Sequence, residues 1–218
     1  MIFKAYCSNN TIKLNNKSIN ILLTGFEPFG GSDINSSWET AVRVGQLPPK
    51  GVIVETMQLP VSFKRAGETI RRVLHEKHPD VVVMLGQRGK GTSIDIERIA
   101  INLMDSVNPD NDGYQPQEQA IVKGEESAYF SNLPVKALRD ALLQKSIPAR
   151  VSNSAGLYVC NSTYYNALDE IRGQQLSTNV VFVHLPKISS DFPQEMLVNA
   201  VKTIIETVIT IGKDEQIR

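Results

Sequence analysis

Val81-Val82-Val83-Met84-Leu85 is an unbroken apolar run with no polar residue at a spacing of two or of three to four. Such a run suits a strand covered on both faces, the environment of a parallel sheet with helices packed above and below. Ile19–Thr24 and Val180–His184 have the same character, and Val52–Leu59 and Ala149–Ser152 also read as strands. Between them lie helical patterns at Ser37–Val44, Phe63–Glu76 (with Ser62 as its N-cap), Pro134–Lys145, Cys160–Arg172 and Pro193–Ile211. The imperfect alternation of Ser93–Leu103 predicts an exposed or edge strand, and 105–118 is a loop by composition. The first and third strands are expected to stop at Gly25 and Gly86. Strands alternating with helices predict an α/β fold: a single domain over 19–218, its central, mostly parallel twisted sheet carrying helices on both faces. Residues 1–18, rich in Asn and Lys, read as an N-terminal extension with no assigned role.

Composition narrows the function. Lys+Arg (23) and Asp+Glu (23) cancel, so no global field favours nucleic acid or an anionic membrane surface. No apolar run approaches the roughly 18 residues that cross a bilayer, and Lys4 interrupts the apolar start, leaving no signal-peptide core. A soluble cytoplasmic protein with Cys7 and Cys160 as free thiols is expected. Two cysteines and three histidines (His75, His78, His184) supply neither a structural zinc cluster nor a disulfide framework.

Ligands of open α/β sheets bind beyond the carboxyl ends of the strands. Cys160 opens a helical pattern, where unpaired N–H groups and the helix dipole stabilise a thiolate; the alternative is a small buried hydrophobe. His184 stands where an apolar strand leaves the core, facing either a cleft or a satisfied core-edge partner. His75 and His78 sit at a charged helix end, suited to solvation or to the helix C-terminus. A Cys–His pair needs a third group to orient the imidazole, and Asp95, Glu97, Asp105 and Asp110 all qualify; spacing does not choose among them. The turns Phe26-Glu27-Pro28-Phe29-Gly30-Gly31 and Gly86-Gln87-Arg88-Gly89-Lys90-Gly91 contain glycines able to hold an anion, but neither matches a Walker or dinucleotide motif.

Several segments in one order carry a more specific signal. They are Leu22–Gly31 with Asn35-Ser36-Ser37-Trp38-Glu39, Gly86-Gln87 with Glu97–Asn102, Pro109-Asp110-Asn111, Ala128–Pro134, Val151-Ser152 with Ala155-Gly156, Val159-Cys160-Asn161, and Val183-His184 with Pro186. Together these resemble the pyroglutamyl-peptidase I (pyrrolidone-carboxylate peptidase) family of cysteine exopeptidases, from residue 19 to the C-terminus. The resemblance implies an omega-peptidase that hydrolyses the amide bond after an N-terminal pyroglutamyl residue through an acyl-enzyme. It implies a catalytic set of Cys160, His184 and Glu97, and a lactam pocket using Phe26, Phe29, Asn35, Gln87 and Tyr158. It further implies peptides as partners, no metal or organic cofactor, no nucleic acid or membrane partner, and a homotetramer.

The chain departs from the family pattern at Arg88 and Lys90, which add two positive charges after Gln87, at Val107 in place of a frequent Arg, and at Ser36 in place of a usual Pro. These departures bear on efficiency and on preference for the leaving peptide. A binding module that holds a lactam without turnover, and a phosphate-using transferase resting on the glycine-rich loops, are the competing readings.

Overall fold

The computed structural model describes residues 18–216. The N-terminal extension up to residue 17, Cys7 included, lies outside the described residues. In chain order the elements are β1 (Ile19–Phe26), α1 (Ser36–Gln46), β2 (Val52–Leu59), α2 (Phe63–Lys77), β3 (Val81–Arg88), β4 (Ile94–Glu97), β5 (Ile99–Ile101), β6 (Ala128–Phe130), α3 (Val135–Gln144), β7 (Ala149–Ser152), α4 (Val159–Gly173), β8 (Asn179–Pro186) and α5 (Gln194–Gln216). Six strands form one sheet in the order β2-β1-β3-β8-β4-β7, while β5 and β6 pair separately and antiparallel. Every neighbour in the large sheet is parallel except β4 with β8.

Alternation along the strands divides the core into two layers. Ile21, Leu23, Val81, Val83, Leu85, Val181 and Val183 pack with Ala41 and Val44 of α1, Leu138 and Leu142 of α3, and Val201, Ile204 and Val208 of α5. Leu22, Val82, Met84, Val180 and Phe182 pack with Ile70 and Leu74 of α2 and Tyr164 and Leu168 of α4. Helices therefore cover both faces, as the doubly apolar strands require. The helix starts follow local chemistry: Ser62 Oγ accepts from the Arg65 N–H at 3.1 Å, and Asn35 Oδ1 accepts from the Ser37 N–H at 3.0 Å.

Two expectations need correction. Neither β1 nor β3 stops at its glycine: β1 runs to Phe26 and β3 to Arg88. The glycines instead admit close neighbours inside a strand. A Cβ on Gly25 would lie 2.7 Å from the Ser37 carbonyl and the Trp38 Cα, so only glycine lets α1 cross β1 at this distance. The segment Ser93–Leu103 is not one exposed or edge strand. It divides into β4 and β5, and β4 lies inside the sheet between β8 and β7 with all four residues buried. Its polar residues face a site rather than solvent. Strand β6 is three residues long and was not anticipated.

Because the atoms opposite Gly25 are backbone, Gly25→Ala is expected to destabilise the fold by about 1–3 kcal/mol. Urea denaturation checks this; an unchanged midpoint would contradict the close crossing.

Candidate active site

Strand register places two cross-strand rows bearing polar residues on one face of the sheet. Gly86 of β3 pairs with His184 of β8, His184 with Asp95 of β4, and Asp95 with Arg150 of β7. Two residues down the strands, Met84, Phe182, Glu97 and Ser152 form the second row. Both rows face the α2/α4 layer, because Met84 and Phe182 belong to it. His184 thus stands at the carboxyl end of a buried strand, with Glu97 diagonally beneath it.

His184 Nδ1 and Glu97 Oε1 are 2.7 Å apart, with Glu97 fully buried and His184 7% exposed. The contact with a carboxylate orients Nδ1–H toward Glu97 and leaves Nε2 for the other side of the ring. Cys160, a partly exposed free thiol, acts on the same imidazole. Burial alone would lower the His184 pKa, but the hydrogen bond and charge of Cys160, followed by those of Glu97, outweigh it and push the pKa up to about 9. His184 and Glu97 form a buried ion pair, and it is Glu97 that the fold sets beside the imidazole. Of the other carboxylates, Asp95 is held by Arg88 and Arg150, Asp110 caps loop N–H groups, and Asp105 is exposed.

Cys160 is the second residue of α4, after the N-cap Tyr158, whose side chain makes no capping bond. The Ser162 N–H bonds the Tyr158 carbonyl, so the N–H groups of the first turn before it point out of the helix start beside the sulfur. The sulfur also depends on Gly86 beneath it: a Cβ there would lie 2.8 Å from Phe182 Cε1 and 3.0 Å from Cys160 Sγ. Asn161, not singled out by the sequence reading, anchors this turn. Its amide donates to the Ile101 and Leu103 carbonyls (2.9 and 3.1 Å) and accepts from the Ile101 N–H (3.0 Å). No local sequence pattern displays this role, because its partners lie 60 residues away at Ile101.

The aromatic residues gather beside the thiol. Phe26 is buried 6.4 Å from Phe182, while Phe29, Tyr158 and Cys160 pack partly buried against the same cluster. Tyr158 OH donates to the Pro109 carbonyl at 3.0 Å, and its ring meets Phe63 edge-on at 5.3 Å. Asn35 and Gln87 hold the wall. Asn35 Nδ2 donates to the Glu27 carbonyl at 2.9 Å, and Gln87 Oε1 accepts from the Ser36 N–H at 2.8 Å. Glu27 Oε1 accepts from both the Val61 N–H and Asn111 Nδ2, joining the Phe26–Phe29 turn to the loop at 105–118. His75 and His78 are remote from this cluster: His75 bonds Glu170, and His78 closes α2 in a left-handed conformation. Val107, one of the departures, is 92% exposed. Among the described residues no group of three or more His, Cys, Asp or Glu is placed to hold a metal ion.

A histidine pKa near 9 against an ordinary 6.5 means that the fold binds this proton more tightly than the unfolded chain. The associated stability is full below pH 6.5 and is lost as pH rises through about 9. An NMR titration of the His184 ring is expected to show a midpoint near 9 in the wild type and a lower one in Glu97→Gln. A wild-type midpoint at or below 6.5 would contradict the buried ion pair.

Comparison with known proteins gives a consistent match. The family model described as pyroglutamyl peptidase matches residues 19–211. The chain is 45% identical to the pyrrolidone-carboxylate peptidase of Thermococcus onnurineus over 197 residues, covering 86% of this chain and 97% of that protein. It is 36% identical to the Brevibacillus brevis pyrrolidone-carboxylate peptidase, covering 89% and 94%. Pyroglutamyl peptidase I of Bacillus amyloliquefaciens superposes with a TM-score of 0.83 at 32% identity, over 88% of this chain and 97% of that one. A mutant pyrrolidone carboxyl peptidase from Pyrococcus furiosus superposes with a TM-score of 0.84 at 35% identity, over 88% and 99%. The Cys160, His184 and Glu97 cluster thus lies in a fold and a sequence shared with these enzymes along nearly their whole length, and the chain belongs to the pyroglutamyl peptidase family.

Proposed function

We propose that Cys160, His184 and Glu97 perform the reaction of a cysteine omega-peptidase that removes pyroglutamate from peptide N-termini. The observation that carries this reading is the buried Glu97–His184 hydrogen bond, with Cys160 at the start of α4 acting on the same imidazole. The Cys160 sulfur attacks the carbonyl carbon joining the lactam to the next residue. The N–H groups at the helix start take the developing oxyanion. His184 delivers its proton to the leaving amine, the C–N bond breaks, and a thioester remains. His184, now neutral, takes a proton from water, whose oxygen attacks the thioester to release pyroglutamate and the thiolate. Glu97 keeps the ring oriented and balances the imidazolium charge throughout.

A pyroglutamyl cap has no ammonium to grip, so recognition rests on shape and on neutral hydrogen bonds. Phe26 and Phe29 supply flat faces for the lactam. Gln87 Nε2 and the backbone supply the polar edge, Asn35 fixes the turn, and Tyr158 closes the side above the thiol. The reaction needs a reduced thiol, which supports a cytoplasmic setting. A homotetramer follows the family resemblance and is tested by sedimentation velocity. No helix among the described residues is long and apolar enough to cross a membrane.

Release of a chromophoric amine from its pyroglutamyl amide tests the reaction. Cys160→Ser and His184→Ala are each expected to lower kcat by on the order of 10^4 or more. A reduced wild type that binds the lactam without releasing amine would instead establish a binding module. Full activity in His184→Ala would remove the proposed acid–base.

A further inference from the structure

Beyond His184, away from the phenylalanines, the first cross-strand row ends in a charged group that the reaction does not use. Asp95 is 1% exposed and lies directly across from His184. Arg150 grips it with Nε to Oδ1 at 2.7 Å and a terminal nitrogen to Oδ2 at 2.9 Å. Ser93 Oγ donates to Oδ1 at 2.8 Å, and Arg88 also bonds Oδ2. Arg88 begins on β3, pairs with Pro186 of β8, and ends on Asp95 of β4. Its side chain therefore crosses the end of β8, two pairs beyond His184.

The cluster is fixed at its base and open at its rim. The carboxylate is sealed, yet the arginine side chains remain 44% (Arg88) and 59% (Arg150) exposed. Two guanidiniums and one carboxylate leave one net positive charge. The bonds to Asp95 use two N–H groups of Arg150 and one of Arg88, out of five donors on each. Nothing in the apolar packing of the sheet requires a buried acid here. A buried carboxylate with two arginines is a costly arrangement that holds guanidiniums in a defined place.

The order of strands gives that place a meaning. Extending the β1–β3 register by two residues puts Phe26 in the same row, which then reads Phe26, Gly86, His184, Asp95, Arg150. Cys160 stands over Gly86. The lactam occupies the Phe26 side, and His184 meets the leaving amine, so the leaving peptide extends over β8 toward β4 and β7. His184 and Arg150 are two strand spacings apart, about 10 Å. An extended chain covers about 3.3–3.6 Å per residue, so the carboxylate of a leaving peptide of one to three residues falls within this span.

We propose that Arg88 and Arg150, held by Asp95, form a carboxylate subsite for the leaving group, favouring short pyroglutamyl peptides with a free C-terminus or an acidic residue after pyroglutamate. Arg–carboxylate recognition is directional, and the rim position keeps product release fast by leaving the pair half in water. This subsite rests on the peptidase reading above.

Matched substrates separate the two ideas. Pyroglutamyl-alanine against pyroglutamyl-alaninamide tests the terminal carboxylate; pyroglutamyl-glutamic acid amide against pyroglutamyl-glutamine amide tests the side chain. In wild type the charged member of at least one pair is expected to have a kcat/KM higher by about three- to tenfold. Arg88→Gln, which leaves Asp95 paired with Arg150, is expected to bring that ratio toward one whatever it does to the absolute rates. The wild-type ratio should also shrink as ionic strength rises from about 0.02 to about 0.5 M, a readout that needs no folded variant. Equal cleavage of both members of both pairs by wild type overturns the subsite and leaves the peptidase reading intact, as does a ratio unchanged in folded Arg88→Gln. Cleavage of no pyroglutamyl amide at all removes the peptidase reading and the subsite with it.

Discussion

A carboxylate sealed inside a sheet must have a positive partner, and the geometry of this protein turns on how that partner is supplied. Glu97 is fully buried and meets His184 across the one antiparallel pairing of the six-stranded sheet. Had β4 run parallel to β8, its register and the direction of its side chains would differ, and the residues at its two ends would exchange places along the strand. Reversed as it is, β4 enters at the carboxyl end of β3 and β8 and carries Asp95 and then Glu97 down beneath the imidazole. The cost of burying Glu97 is offset by a protonated His184, which stands between Glu97 and the Cys160 end of α4. Charge balance thus links the sheet interior to the exposed edge of the site.

Much of the fold was legible because the parallel strands are apolar on both faces. Val52–Leu59 and Ala149–Ser152 match their expected bounds, and the helices differ only at their ends. The failures share a cause. Ser93–Leu103 reads as an exposed or edge strand because Asp95 and Glu97 break its apolar pattern, yet both are buried for the sake of the site. Gly25 and Gly86 read as strand ends because glycine usually marks a turn, whereas here each vacates space for a neighbour, the α1 backbone in one case and the Cys160 sulfur in the other. Three-residue β6 was too short to carry any period.

The site divides along the same line. Cys160 and His184 were visible from local context, a helix start and a strand end. Glu97 was not separable from Asp95, Asp105 or Asp110 by spacing, because what distinguishes it is a pairing between strands 87 residues apart. The resemblance chose Glu97, and the fold brings the same carboxylate to His184. Asn161 and Glu27 escaped notice as working parts because each acts through hydrogen bonds to distant backbone that no sequence pattern displays.

Three segments of the chain meet at Glu27. One of its oxygens holds the lead-in to α2 through Val61 and the 105–118 loop through Asn111, whose own N–H returns to the Val61 carbonyl. Three segments that would otherwise move separately are tied at a single atom, with Asp110 fastening the same loop to the start of α2. The aromatic wall is therefore a fixture and not a door. Opening this wall at all means undoing several attachments at once.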